Sequence, residues 1–110
     1  VSLTTEIWVS AHLRRCAIDG LGATMVKKGD PDAGAVLVKL YLGRIEGCRV
    51  MTRVTGPDGE PAWMPALGGG LVPEPEADAY IARQTGRDPD LWVIEVDDPK
   101  GRHPFDGKML

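Results

Sequence analysis

Between Gly34 and Gly43 the chain reads Ala-Val-Leu-Val-Lys-Leu-Tyr-Leu, and this stretch restricts the possible folds more than any other. Residues 35–42 alternate as a strand does, with Val36, Val38, Leu40 and Leu42 on one face and Leu37, Lys39 and Tyr41 on the other. Its neighbours follow from it. Residues 23–28 read as a preceding strand, joined to it by the turn chemistry of Gly29-Asp30-Pro31-Asp32-Ala33-Gly34. Gly43 to Gly47 is a connection of hairpin length. In the strand beyond it, Cys48, Val50 and Val54 point one way and Arg49, Met51 and Arg53 the other. Gly56-Pro57-Asp58-Gly59 is a turn, and Ala62-Trp63-Met64 is a candidate short strand.

Helical periodicity brackets these strands. Thr4 and Thr5 are candidate N-caps, Glu6 suits the positive end of a helix, and Gly20 and Gly22 stop it after Asp19. At 100° per residue, Val9, Leu13, Cys16 and Ala17 form one apolar stripe, and Ile7, Ala11 and Ile18 form a second. Two stripes predict a helix wedged between two surfaces. A second helix is predicted over Glu74–Thr85, with Pro73 and Pro75 near its start, Gly86 after its end, and Ala77, Tyr80, Ile81 and Gln84 inward. Asp88-Pro89-Asp90 breaks the chain before a final strand, where Trp92, Ile94 and Val96 alternate with Val93, Glu95 and Asp97. The order α-β-β-β-(β)-α-β, with its short links, predicts an α+β fold: a small, mainly antiparallel sheet of four or five strands packed with two helices. Residues 1–110 read as a single domain, ordered over about 5–98 and followed by a polar tail, 99–110.

Composition sets outer limits. At 110 residues, 43% hydrophobic and 26% charged, the chain can bury one core and is not of disordered composition. No run approaches the roughly 18 apolar residues of a membrane span, and no secretory signal opens the sequence. Cys16 and Cys48 lack framework spacing, so they read as reduced, buried cysteines of a cytoplasmic protein. The net charge of −3 argues against nucleic acid or an anionic membrane as partner. Residues 1–53 carry eight basic and five acidic side chains, whereas residues 54–110 carry five and eleven. That split suits intramolecular pairing, a homodimer or another charged protein.

Several blocks together carry a resemblance. Ile7-Trp8-Val9 with Leu13-Arg14-Arg15-Cys16, Gly29-Asp30 with Asp32-Ala33-Gly34-Ala35, and Asp88-Pro89-Asp90-Leu91-Trp92-Val93 occur in order. With them the chain resembles the domain of unknown function 1491 family, small bacterial proteins, over roughly residues 5–103, least so from Gly43 to Pro65. The resemblance implies no activity and brings no catalytic or binding residues, so candidate sites rest on residue chemistry.

His12, Cys16, Cys48 and His103 are the ligand types zinc accepts, but no paired knuckle spaces them, and Cys16 sits in an apolar stripe. The same placement argues against Cys16 as a nucleophile. Asp30 and Asp32 offer oxygen ligands, yet Asp-Pro-Asp between strands is ordinary turn chemistry. The Gly68-Gly69-Gly70 run precedes a helix whose first turn is acidic, which suits a hinge rather than a phosphate loop. Lys39, Arg49 and Arg53 are expected to leave the core on one face, where Glu95 and Asp97 could pair with them; unpaired, they could hold phosphate or nucleic acid. The sequence calls for no metal and no cofactor. The reading is a small cytoplasmic bacterial protein acting as a non-catalytic binding or protein-interaction module. One alternative is a small enzyme with a site near Asp30, Asp32, Arg102 and His103; the other is phosphate or nucleic-acid binding through Lys39, Arg49 and Arg53.

Overall fold

Thr4 caps the first helix, its hydroxyl accepting from the Ile7 amide at 3.4 Å, and helix α1 runs from Thr5 to Ile18. The computed structural model describes residues 4–110; residues 1–3 of the expected domain lie outside the described residues. Strand β1 (Gly22–Lys27) follows, then β2 (Val36–Tyr41), β3 (Cys48–Thr55) and β4 (Pro61–Pro65). After a 3-10 turn at Leu67–Gly69 come helix α2 (Glu74–Arg87), β5 (Trp92–Asp97) and the two-residue β6 (Lys108–Met109). Helix α2 runs through Gly86 rather than stopping before it, and the Asp88 amide donates to the Gln84 carbonyl at 2.9 Å to close its last turn. No helix among the described residues is long and apolar enough to cross a membrane.

The α+β class holds, but the sheet is larger and more mixed than predicted. Six strands lie in the order β1-β5-β2-β3-β4-β6. The pairs β1–β5, β2–β3 and β3–β4 are antiparallel, while β2–β5 and β4–β6 are parallel. Short links gave the antiparallel expectation; the α2 crossover overrides it by returning the chain to insert β5 beside β2. Both central strands are buried on both faces: Val36 to Leu40 in β2, and Trp92, Val93 and Ile94 in β5. Burial on both faces requires a layer on each side of the sheet.

Helix α1 supplies one layer. Trp8, Val9 and Cys16 pack with Val36, Val38, Leu40, Met51, Trp63, Trp92, Ile94 and Val96. Helix α2 supplies the other, where Ala77 joins Leu37, Cys48, Val50, Leu91 and Val93. The wedged placement of α1 is therefore corrected. Val9, Leu13 and Cys16 of its first stripe face the sheet while Ala17 is exposed, and its second stripe does not face it at all: Ile7 is 54% exposed and Ile18 78%, and Ala11 is exposed. A three-layer fold gives an outer helix only one buried side.

Two glycines fix the entry to this arrangement. A Cβ on Gly29 or Gly34 would collide with the Asp90 carbonyl and the Trp92 ring, so the β1–β2 turn can close against the start of β5 only without side chains there. The Trp92 indole donates to the Asp30 carbonyl at 2.8 Å across that contact. At the other end of the chain, the 99–110 segment crosses the α1 side of the sheet. Phe105 enters the core at 5% exposure, beside Trp8 and Trp63, because it is the one apolar ring there. The Trp63 indole donates to the Asp106 carbonyl at 2.9 Å, and the Leu110 amide donates to the Trp63 carbonyl at 2.9 Å.

Candidate functional site

The register of β2 against β3 decides where the three predicted cations go. Lys39 stands opposite Val50, and Leu40 stands opposite Arg49. Directly opposed residues share a face, so Arg49 and Arg53 project on the α1 side with Leu40, and Lys39 projects on the α2 side. The predicted single cationic face is split in two, because the sequence shows alternation within each strand but not the offset between strands.

On the α2 side Lys39 is 5% exposed and fully engaged. Its ammonium contacts Glu74 at 2.7 Å, Asp78 at 2.8 Å and Glu95 at 3.1 Å. The Glu95 contact is the cross-strand ion pair the sequence suggested, since Lys39 and Glu95 are register partners in the parallel β2–β5 pair. Burial alone would lower the ammonium pKa, but hydrogen bonds to Asp78, Glu74 and Glu95 outweigh it and hold it well above the ordinary lysine range.

On the α1 side Arg49 and Arg53 pair with no carboxylate among the described residues. The Nε atoms of both are enclosed without a hydrogen-bond acceptor, as is His103 Nε2. Arg53 lies over the Trp8 ring, 4.4 Å from its centroid, in a cation–π contact. Burial pushes the Arg53 guanidinium down from its ordinary value. Arg53 is also the register partner of Trp63, and the His103 ring meets Trp63 edge-on at 4.9 Å. Burial lowers the His103 pKa as well, which favours the neutral ring.

The other candidates are not brought together. Asp30 caps its own turn, its carboxylate accepting from the Ala33 amide at 2.9 Å, and the Asp32 carbonyl accepts from the Thr5 amide at 3.3 Å. Both lie at the Trp92 end of β5. Arg102 is at the opposite end, donating to buried Asp98 at 2.8 Å, and the rise of six strand residues separates these ends by about 20 Å. Asp30 and Asp32 therefore do not share a site with Arg102 and His103. Hydrogen bonds from Arg102 and from the Arg102 and Lys100 amides hold Asp98 down at about 2.

The four zinc-type residues are also dispersed. Cys16, on the sheet-facing side of α1, and Cys48, on the α2 side of the sheet, lie in different core layers, and burial pushes both thiol pKa values up. His12 stacks on Trp8 at 3.9 Å, and its Nδ1 donates to the Trp8 carbonyl at 2.8 Å, since a carbonyl can only accept. Its Nε2 lies 3.3 Å from an Asp106 carboxylate oxygen, and Arg15 donates to the other at 3.1 Å. That clasp, with Trp8, Trp63 and Phe105, was missed in the sequence. The signal available was Phe105, the one aromatic residue after Trp92.

The chain matches the family described as Protein of unknown function (DUF1491) over residues 3–106. It is similar to a DUF1491 family protein from Caulobacter crescentus CB15 solved by crystallography, at 39% identity and a TM-score of 0.84, covering 100% of this chain and 99% of that one. An NMR structure of a DUF1491 family protein from the same organism matches at 41% identity and a TM-score of 0.84, covering 100% and 98%. A solution structure of a protein from A. tumefaciens matches at 30% identity and a TM-score of 0.70, covering 88% of this chain and 86% of that one. No curated protein matches significantly. By the span of the family match and the likeness to these structures, the chain belongs to the DUF1491 family.

Proposed function

We propose that the chain is a non-catalytic protein-interaction module that docks an amphipathic helix of another protein on the outward side of α1. The observation that supports this reading is the stripe Ile7, Ala11, Arg14 and Ile18, all exposed. Its 4-3-4 spacing is that of a coiled-coil seam. Two adjoining shallow grooves flank it, of about 440 Å³ (Glu6, Ile7, Ser10, Ala11, Arg14) and about 220 Å³ (with Val9, Leu13, Met25 and Lys28). Ser10 and Ala11 are small enough for a second helix to approach closely. Met25 at 43% exposure extends the apolar surface onto β1.

Charge selects the occupant. Glu6 is already engaged by Lys28 at 3.0 Å, whereas Arg14 has no carboxylate partner among the described ion pairs. A docking helix with an Asp or Glu facing Arg14 and small or apolar residues along the seam satisfies both features. A second copy fits worse: a two-fold antiparallel pairing that sets Ile7 against Ile18 sets each Arg14 against the other copy's Ala11, leaves the two arginines offset by only about 4.5 Å along the helix axis, and places no acid opposite either.

The test is a photo-cross-linking residue at position 18, with position 76 on α2 as control, followed by mass spectrometry. Cross-links from position 18 should land on a helical segment of another protein that bears an acid facing Arg14. They should be lost with Arg14→Glu and recovered when that acid is changed to Lys. Cross-links only to a second copy, the same products from both positions, or none above background would overturn the proposal.

A further inference from the structure

Residues 104–110 sit on the α1 side of the sheet in the manner of a bound peptide. Phe105 enters a pocket walled by Trp8, His12 and Trp63, at ring-centroid distances of 5.9, 5.7 and 5.9 Å. The next residue, Asp106, is gripped from α1. Arg15 donates to one carboxylate oxygen at 3.1 Å, His12 Nε2 lies 3.3 Å from the other, and Arg15 also donates to the Pro104 carbonyl. The Arg15 hydrogen bond holds the Asp106 carboxyl below its ordinary value, so the gripped group is an anion at neutral pH. A Cβ on Gly107 would crowd the Trp63 indole at 3.0 Å and the Pro61 carbonyl at 3.2 Å. Lys108 and Met109 then lie parallel to Ala62 and Trp63, adding a strand to the β4 edge. A ring in a pocket, an acid in an arginine grip and main-chain pairing at a sheet edge are the elements of peptide recognition by strand addition.

The hold on this segment is local. Pro104 is half-buried and residues 106–110 are exposed, so Phe105 carries most of its apolar burial. A stretch with one buried ring and two residues of strand pairing opens at lower free energy than β2 and β5, which are buried on both faces. The link before it folds on its own: Asp98 accepts from the Lys100 and Arg102 amides at 3.1 and 3.0 Å. With that turn intact, residues 104–110 can lift away, but the link stays short, which disfavours exchange with a second copy.

From this arrangement we infer that the groove between α1 and the β4 edge is a peptide-binding site, which residues 104–110 occupy in cis as a pseudo-ligand. The partner it fits is an extended peptide of another protein with an aromatic residue, an acid and a glycine in succession. The ring fills the pocket, the acid meets Arg15, and the glycine passes the Trp63 indole. This site is separate from the α1 seam, which lies on the helix surface turned away from the sheet.

The test uses the full chain carrying both Phe105→Ala and Asp106→Ala, which removes the two anchors in cis. The probe is a fluorescein-labelled peptide of residues 103–110, followed by fluorescence anisotropy. It should bind this variant saturably, and bind the parent about tenfold or more weakly, because the parent's own segment competes at high effective concentration. The same peptide carrying Phe105→Ala or Asp106→Asn should bind the variant about tenfold or more weakly. Melting curves verify that the variant is folded, and hydrogen exchange of the parent carries the test if it is not. There the Leu110 amide, which donates to the Trp63 carbonyl, should be protected about tenfold or more weakly than the amides of β2 and β5. Absence of saturable binding to the folded variant, equal affinity for the parent, equal affinity of the substituted peptides, or Leu110 protection equal to that of the central strands would overturn the inference. So would a dimer of the parent in sedimentation that forms by exchanging these segments.

Discussion

Single residues in this protein are governed by whether their charges are answered. Lys39 is surrounded by acids that are themselves half-exposed, so its loss should cost less than that of a fully buried pair. Lys39→Met is expected to destabilise by about 2 kcal/mol, between the surface and buried limits. Urea denaturation at neutral pH measures this, and a smaller effect in a Glu95→Gln background would show the coupling. Asp98 has its own pH signature. Its pKa falls to about 2 in the fold. Because the folded value lies below the unfolded one, near 3.9, its contribution is complete above about pH 4 and is lost as pH falls from there towards 2. Asp98→Asn should flatten stability over that window; an unchanged acid limb would show that other carboxylates dominate. The cysteines make a third case. Both thiols are buried with raised pKa, so a thiol-reactive dye should label them only as the chain unfolds.

At the scale of elements, α1 was partly legible. Its start, its cap and its sheet-facing stripe follow from Thr4, Glu6, Val9 and Cys16, but periodicity also predicts a second buried stripe at Ile7, Ala11 and Ile18, which the fold leaves exposed. Periodicity reports that a face is apolar; it does not report whether anything in the same chain covers it. The two stripes should therefore respond differently to mutation. Val9→Ala, at a site 1% exposed, is expected to cost about 2 kcal/mol, while Ile18→Ser should remain within about 0.5 kcal/mol of the parent. Thermal melts of the two variants check this directly, and a large loss at Ile18 would restore the wedged placement. Strand β1 raises a related question, because it lies at the edge of the sheet. A register shift between Met25 and Lys27 distorts it, and Lys27 and Lys28 charge its end. Both features discourage edge-to-edge pairing.

For the whole molecule, the charge asymmetry between the two halves of the sequence finds a physical use. Lys39 and Arg15, from the basic half, pair with Glu74, Asp78, Glu95 and Asp106 from the acidic half. The same long-range closure brings in the segment after Asp98. Phe105→Ala is expected to destabilise by about 3 kcal/mol, by removing the ring that packs against Trp8 and Trp63. Guanidinium denaturation of the full chain measures the loss, and a negligible change would mean that this segment contributes little to the fold.

The sequence by itself determined the local features: both helices, the strands up to β5, the glycine-bracketed turn at 29–34, the two buried cysteines and the family. These depend on side-chain period, turn chemistry and capping, which act over a few residues. Only the tertiary structure decided that β5 inserts parallel to β2, that Phe105 returns to the core, and that Lys39 parts from Arg49 and Arg53. The α2 crossover and the β2–β3 register control these outcomes, and each rests on contacts between residues distant in the chain. A shift of one residue in that register would exchange the faces of every side chain on β3 relative to β2. Alternation along one strand cannot specify that offset, so the partners of the three cations became visible only once the strands were paired.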